Sequence, residues 1–209
     1  MANHVATRFS FDSISEAGVA KVKELFSRVR QEEGSYRHWV GDMWVDGEQG
    51  SPSYEDSETY DWTVENIGSK WCYFDEGRLE DLDIASDTIN MVSAWSVPFS
   101  AIAWFVEQIA EVDPSVVLRV SYEDEMPNFI GVALYNRDGL YQEEEWDYEE
   151  IKAGLHNEYP EMVEHWDSEE EEGDEEYNDM FFENIWEYVN QLQMDTIESF
   201  VEDLENESN

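Results

Sequence analysis

Apolar and polar positions alternate at the start of the chain. Over residues 3–11, Val5, Thr7, Phe9 and Phe11 share one side, which predicts a half-buried first strand. Ser13 and Ser15 are candidate helix N-caps with Glu16 in the first turn. Val19, Val22, Phe26 and Val29 then recur at helical spacing, so a first helix is expected to end near Glu33-Gly34. The run 93–111 carries the least charge of any long stretch, and the other elements are expected to pack on it. Residues 88–95 read as a strand, and Pro98 suits the first turn of a helix, where a missing N–H costs nothing. Ile102, Phe105, Val106 and Ile109 form one apolar face, and residues 116–122 follow as a strand. This is a strand, crossover helix, strand unit.

The remaining segments read around that unit. Residues 36–60 join Trp39 and Trp44 to a run rich in turn formers, expected as a short piece followed by an exposed loop. Gly68 marks a tight bend, and 71–74 is expected to enter the sheet, paired as a hairpin with 88–95. Residues 129–135 are a strand, Asn136-Arg137-Asp138-Gly139 a turn, and 140–146 a short acidic edge strand. Two short helices are expected at 148–155 and 158–166, separated near Pro160, then a charge run at 168–176. A long helix at 177–204 carries Phe181, Ile185, Val189 and Leu192, then Ile197, Phe200, Val201 and Leu204. Its pattern shifts near Met194-Asp195, which predicts a kink or a break there.

The order is that of the ferredoxin-like β-α-β-β-α-β sheet domain. The expected class is α+β, with this domain at 1–140 and an acidic helical C-terminal extension packed on it at 141–209. Phe9, Phe26, Trp95, Ile102, Phe105, Leu118 and Ile130 are expected in one core. Trp62, Trp71 and Trp104 are expected to join Trp95 there, and Trp166 and Trp186 to fix the acidic helices.

Charge changes the picture more than any motif. The 209 residues hold 52 Asp+Glu against 11 Lys+Arg, a net charge of −41. Residues 141–209 hold 26 of the acids and a single base, Lys152. Such a field repels nucleic acid and anionic membrane and attracts basic surfaces. One cysteine excludes a disulfide framework and suits a reducing compartment. The start MANHVATRF has no apolar region of a secretory signal, and no run reaches the ~18 apolar residues of a membrane span, so a cytoplasmic setting is expected.

Candidate chemistry is sparse. His4, His38, His156 and His165 show no metal-binding spacing, and Cys72, between Trp71 and Tyr73, reads as a buried structural thiol. There is no glycine-rich phosphate loop. A calcium loop read from Asp167 fails, because Glu172 stands at the sixth position with Gly173 one late, and Asn178 stands at the twelfth. No catalytic residue, metal or cofactor is expected.

Four segments carry a resemblance: MANHVATRFSF at 1–11, ENIGSKW at 65–71, SAWSVP at 93–98, and 122–131, YEDEMPNFIG. Over residues ~1–140 the chain resembles the YubB-type ferredoxin-like domain family of phage and plasmid proteins. Ile67 stands where that family usually has Trp, and Val97-Pro98 where it often has a Pro pair. The resemblance implies a mobile-element origin and a bacterial cytosol, and brings no catalytic residues.

The acids are the remaining signal. Carboxylates four apart on a helix rise about 6 Å, near the phosphate spacing along a nucleic acid strand. Glu169, Glu170, Glu171, Glu172, Asp174, Glu175, Glu176, Asp179, Glu183 and Glu187 offer ten such charges with no base among them, and Asp195, Glu198 and Glu202 continue the ladder. The expected function is a non-enzymatic DNA mimic that blocks the DNA-binding cleft of a basic host defence or nucleic-acid-processing protein. The alternatives are an acidic module for a basic partner without DNA-like shape, and salt adaptation.

Overall fold

The computed structural model describes residues 3–29, 37–44, 57–76, 78–126, 128–167 and 172–207. The predicted end of the first helix near Glu33-Gly34 and most of the 36–60 segment lie outside the described residues.

β1 (His4–Ser13) begins the sheet as its alternation predicts. α1 (Glu16–Phe26) starts at Ser15, whose hydroxyl accepts from the Gly18 N–H at 3.3 Å, and ends at Phe26, earlier than the apolar spacing predicts. β2 (Arg37–Trp39), α2 (Ser57–Asn66), β3 (Cys72–Asp75) and β4 (Ile89–Ala94) lead into α3 (Phe99–Ala110). β5 (Val117–Asp124), β6 (Phe129–Asn136) and β7 (Gly139–Asp147) follow. α4 (Tyr148–Glu158), a 3₁₀ turn (Pro160–His165) and the small hairpin β8 (Trp166–Asp167) with β9 (Glu172–Gly173) then precede α5 (Glu175–Glu207). The class is α+β.

All seven long strands join one antiparallel sheet in the order β2-β3-β4-β1-β5-β6-β7, which differs from the four-strand order predicted. β4 and β5 flank β1, so α3 crosses over it from one to the other. β7 spans nine residues and closes the sheet with a longer acidic edge than 140–146 predicts.

Strand alternation gives the sheet two working faces. Phe9, Phe11, Met91, Leu118 and Val120 point toward α1 and α3, where Val22, Phe26, Ile102 and Phe105 meet them. Ile130, Val132 and Leu134 point to the other face, under α4 and α5. Ile130 therefore packs with Ile151, Leu155 and Phe181 and not in the α1–α3 core predicted for it, because it stands out of phase with Ala133 and Tyr135 on its own strand.

Trp95 also departs from expectation. The strand ends at Ala94, Trp95 adopts φ 64°, and its indole is 53% exposed. The Trp95 backbone N–H donates to the Asn3 carbonyl at 2.9 Å and Lys70 Nζ lies 5.2 Å from the indole ring. The turn into α3 requires this backbone direction and swings the side chain out of the core. Trp62, Trp71 and Trp104 do pack, half-buried, against the core.

α5 runs unbroken through 33 residues, so the predicted kink at Met194-Asp195 is absent. Gln193 explains the shift in pattern. It fills the buried position between Val189 and Ile197, and its Nε2 donates to the carbonyls of Tyr122 at 3.0 Å and Gly131 at 3.1 Å. An amide thus completes the buried stripe where an apolar residue is expected. The second short helix predicted at 158–166 is the 3₁₀ turn, opened by Pro160.

Candidate protein-interaction surface

The base of α5 is a cap. Asp174 Oδ1 accepts from the Tyr177 N–H at 2.9 Å, and His165 Nδ1 lies 3.1 Å from Asp174 Oδ2. Both oxygens thus make contacts inside the protein, and the Asp174 side chain stays exposed. His165 is held above its ordinary value by that hydrogen bond and by the charges of Glu176, Asp174 and Glu164, against a smaller effect of burial. Asp174 is held below the usual carboxylate range, first by the Tyr177 N–H and then by His165.

Beyond the cap, Tyr177, Phe181, Ile185 and Val189 turn inward against Ile151, Leu155 and Met162. The opposite side is acidic. Glu175, Glu176, Asp179, Glu183 and Glu187 are all exposed, and Asp179, Glu183 and Glu187 form one row at four-residue steps. Glu169, Glu170 and Glu171 lie outside the described residues, and Glu172 belongs to β9. Farther along, Arg119 Nη1 pairs with Glu198 at 2.5 Å and Gln191 Nε2 donates to Asp195 at 2.7 Å. The continuation of the ladder through Asp195, Glu198 and Glu202 is therefore partly occupied by the protein's own groups.

The single base of this third of the chain does not relieve the field. Lys152 Nζ pairs with Glu149 at 2.6 Å and lies 4.7 Å from the Trp166 ring and 5.4 Å from that of Tyr148. His156 is held below its ordinary value, first by burial and then by the charge of Lys152, and its Nε2 lies 2.9 Å from the Tyr177 hydroxyl. Exposed acids on β7 (Glu144) and α4 (Glu149, Glu150, Glu158) extend the negative surface beside α5, while Glu143 and Glu145 turn to the other sheet face, 3.1 and 3.3 Å from the Tyr122 hydroxyl.

Two aromatics on α5 are exposed, and the sequence reading missed Phe182 and turned Trp186 inward. Phe182 is 60% exposed and Trp186 39%, one helical turn apart and adjacent to the Asp179–Glu183–Glu187 row. Trp186 does not fix α5 to the domain as predicted; Trp166 does, with its ring 5.0 Å from Tyr177. The signal was present in the spacing, since Phe182 and Trp186 fall one residue out of step with Phe181 and Ile185.

Other chemistry is thin among the described residues. No group of three or more His, Cys, Asp or Glu side chains is placed to hold a metal ion. Cys72 is fully buried and burial pushes its thiol well above the ordinary range. His38 is buried with Nε2 3.0 Å from the Glu76 carbonyl. No described helix is long and apolar enough to cross a membrane. No family model, curated protein or solved structure matches the chain.

Proposed function

We propose that the protein is a non-enzymatic inhibitor of phage or plasmid origin that occupies the DNA-binding cleft of a basic protein in a bacterial cytoplasm. The observation that carries this reading is the uncompensated acidic row Asp179–Glu183–Glu187 on a rigid helix, with the only nearby lysine tied to Glu149 and two aromatic rings. A surface of this kind offers a DNA-binding cleft the charge it is built to grip, and it steers encounter over distance. The fold reading accompanies it. We take β3-β4-β1-β5 with α1 and α3 as a ferredoxin-like unit, widened by β2 on one edge and β6-β7 on the other, in keeping with the YubB-type resemblance.

A second reading is favoured by Phe182 and Trp186. A phosphate backbone has no equivalent of two exposed rings, whereas rings beside charges are common anchors in protein interfaces. On this reading the protein is an acidic binding module without DNA-like shape. Capture of a partner from bacterial lysate at low salt separates the two. A mimic releases its partner when duplex DNA is added to the column; a module holds the partner through added DNA and releases it only in high salt.

A further inference from the structure

We propose that the groove between α5 and the second face of the sheet binds a small organic monocarboxylate. The groove encloses about 400 Å³, within the ~300–1,000 Å³ used by small-molecule sites. Its floor is a four-residue checkerboard: on β1 and β5, Arg8 stands opposite Ser121 and Ser10 opposite Arg119. All four side chains project away from the α1–α3 core, because their neighbours Phe9, Phe11, Leu118 and Val120 project into it.

The floor keeps some donors free beside the three carboxylates, Glu123, Asp12 and Glu198, that pair with its two guanidiniums. Arg8 engages Glu123 through Nη2 alone, and a guanidinium carries five N–H groups. Arg119 is held by Asp12 through Nε and Nη2 and by Glu198 through Nη1. These pairs pin each guanidinium without using all of its donors. The Ser10 and Ser121 hydroxyls have no hydrogen-bond partner among the described residues. Two oriented guanidiniums alternating with two hydroxyls complement a planar carboxylate, which takes paired N–H donors on its two oxygens. Met194 and Ile197 from α5 supply an apolar lip for the body of the ligand. Gln193, anchored to Tyr122 and Gly131, sets the height of the helix above this floor.

Net charge narrows the ligand further. The field of a chain at −41 opposes any anion, and the opposition grows with each ligand charge. Among anions a single carboxylate meets the donors at the least electrostatic cost, so it is preferred over a phosphate dianion. This site is independent of the acidic row and its partner.

The test is a titration of the full chain with benzoate, phenylphosphate and benzamide, following the side-chain Nε–H resonances of Arg8 and Arg119 by NMR. Benzoate is expected to move both resonances saturably with a midpoint at or below about 1 mM, with phenylphosphate weaker and neutral benzamide weaker by roughly tenfold or more. The double variant R8Q/E123Q removes both members of one ion pair, and M194E places a carboxylate on the lip without touching the floor. Each should weaken benzoate by roughly tenfold, and M194E carries the test should the double variant fail to fold. The proposal is overturned if no resonance moves saturably up to about 10 mM, if benzamide matches benzoate, if phenylphosphate binds more tightly, or if the folded variants titrate like wild type.

Discussion

On the sheet face covered by α1 and α3, closure is aromatic. The Phe105 ring lies 5.6 Å from Phe9, 6.4 Å from Phe11 and 6.0 Å from Phe26, with no ion pair among them. On the face covered by α5, closure is mixed. Val132, Leu134, Ile197, Phe200 and Val201 pack together, but Gln193 crosses to two strand carbonyls and Arg119 joins Asp12 of β1 to Glu198 of α5. Around Phe105 the first face relies on apolar burial, which is non-directional, and its directional contacts sit at the margin, where Asp113 accepts from the Ser15 N–H at 2.6 Å. The second fixes the helix in one register through directional contacts, and that register decides which acids and aromatics face outward. The contrast places stability on one face and the proposed contacts on the other.

The largest expected effect falls on the aromatic face. Phe105→Ala should cost about 3–5 kcal/mol in chemical denaturation, as large-to-small core changes do. A loss below about 1 kcal/mol would show that the ring contacts do not carry this core. Next is the polar anchor: Gln193→Ala leaves the Tyr122 and Gly131 carbonyls without that donor and should cost about 1–3 kcal/mol. A neutral Gln193→Ala would reduce the amide to a spectator and remove the account of why α5 runs straight.

Trp95 gives a smaller effect of opposite sign. Replacing this exposed, left-handed residue with glycine should raise stability by up to about 1 kcal/mol, since glycine adopts positive φ without a Cβ clash. A clear loss on Trp95→Gly would mean that the indole packs on the domain after all.

The smallest effect concerns pH at the base of α5. His165 is raised above 6.5 by its bond to Asp174, so its contribution is complete below 6.5 and fades as pH rises through the raised folded value. His165→Gln should therefore flatten the stability–pH curve above about 6.5. A curve identical to wild type across that window would show that the pair contributes nothing.

Much of this comparison was legible in the chain. The alternation Val5, Thr7, Phe9, Phe11 and the spacing Ile102, Phe105, Val106, Ile109 report burial directly, and both elements form where the pattern puts them. Less was legible where one residue type serves two ends. Trp95 reads as core by hydrophobicity, yet its place at a chain reversal sends it outward. Ile130 is buried as expected, but the choice of face depends on phase relative to neighbouring strands, which a single segment does not carry. Gln193 interrupts an apolar stripe and so reads as a break, while its partners are brought near only by the sheet. For the contact surface, acid density pointed to α5, but the pairing of Glu198 with Arg119 is long-range and that of Asp174 with His165 needs the β8–β9 hairpin, so neither shows in the spacing.

The central claim is that the acidic row on α5 competes with DNA for a basic cleft. The most direct measurement is displacement of duplex DNA from the captured partner by wild type and by D179N/E183Q/E187Q, which removes three exposed charges while keeping side-chain size. The account predicts that the variant keeps its fold and needs roughly tenfold or more protein for half-displacement, with the gap closing as salt screens the attraction. Equal potency of the folded variant and wild type would contradict it and leave the row as a solvated face.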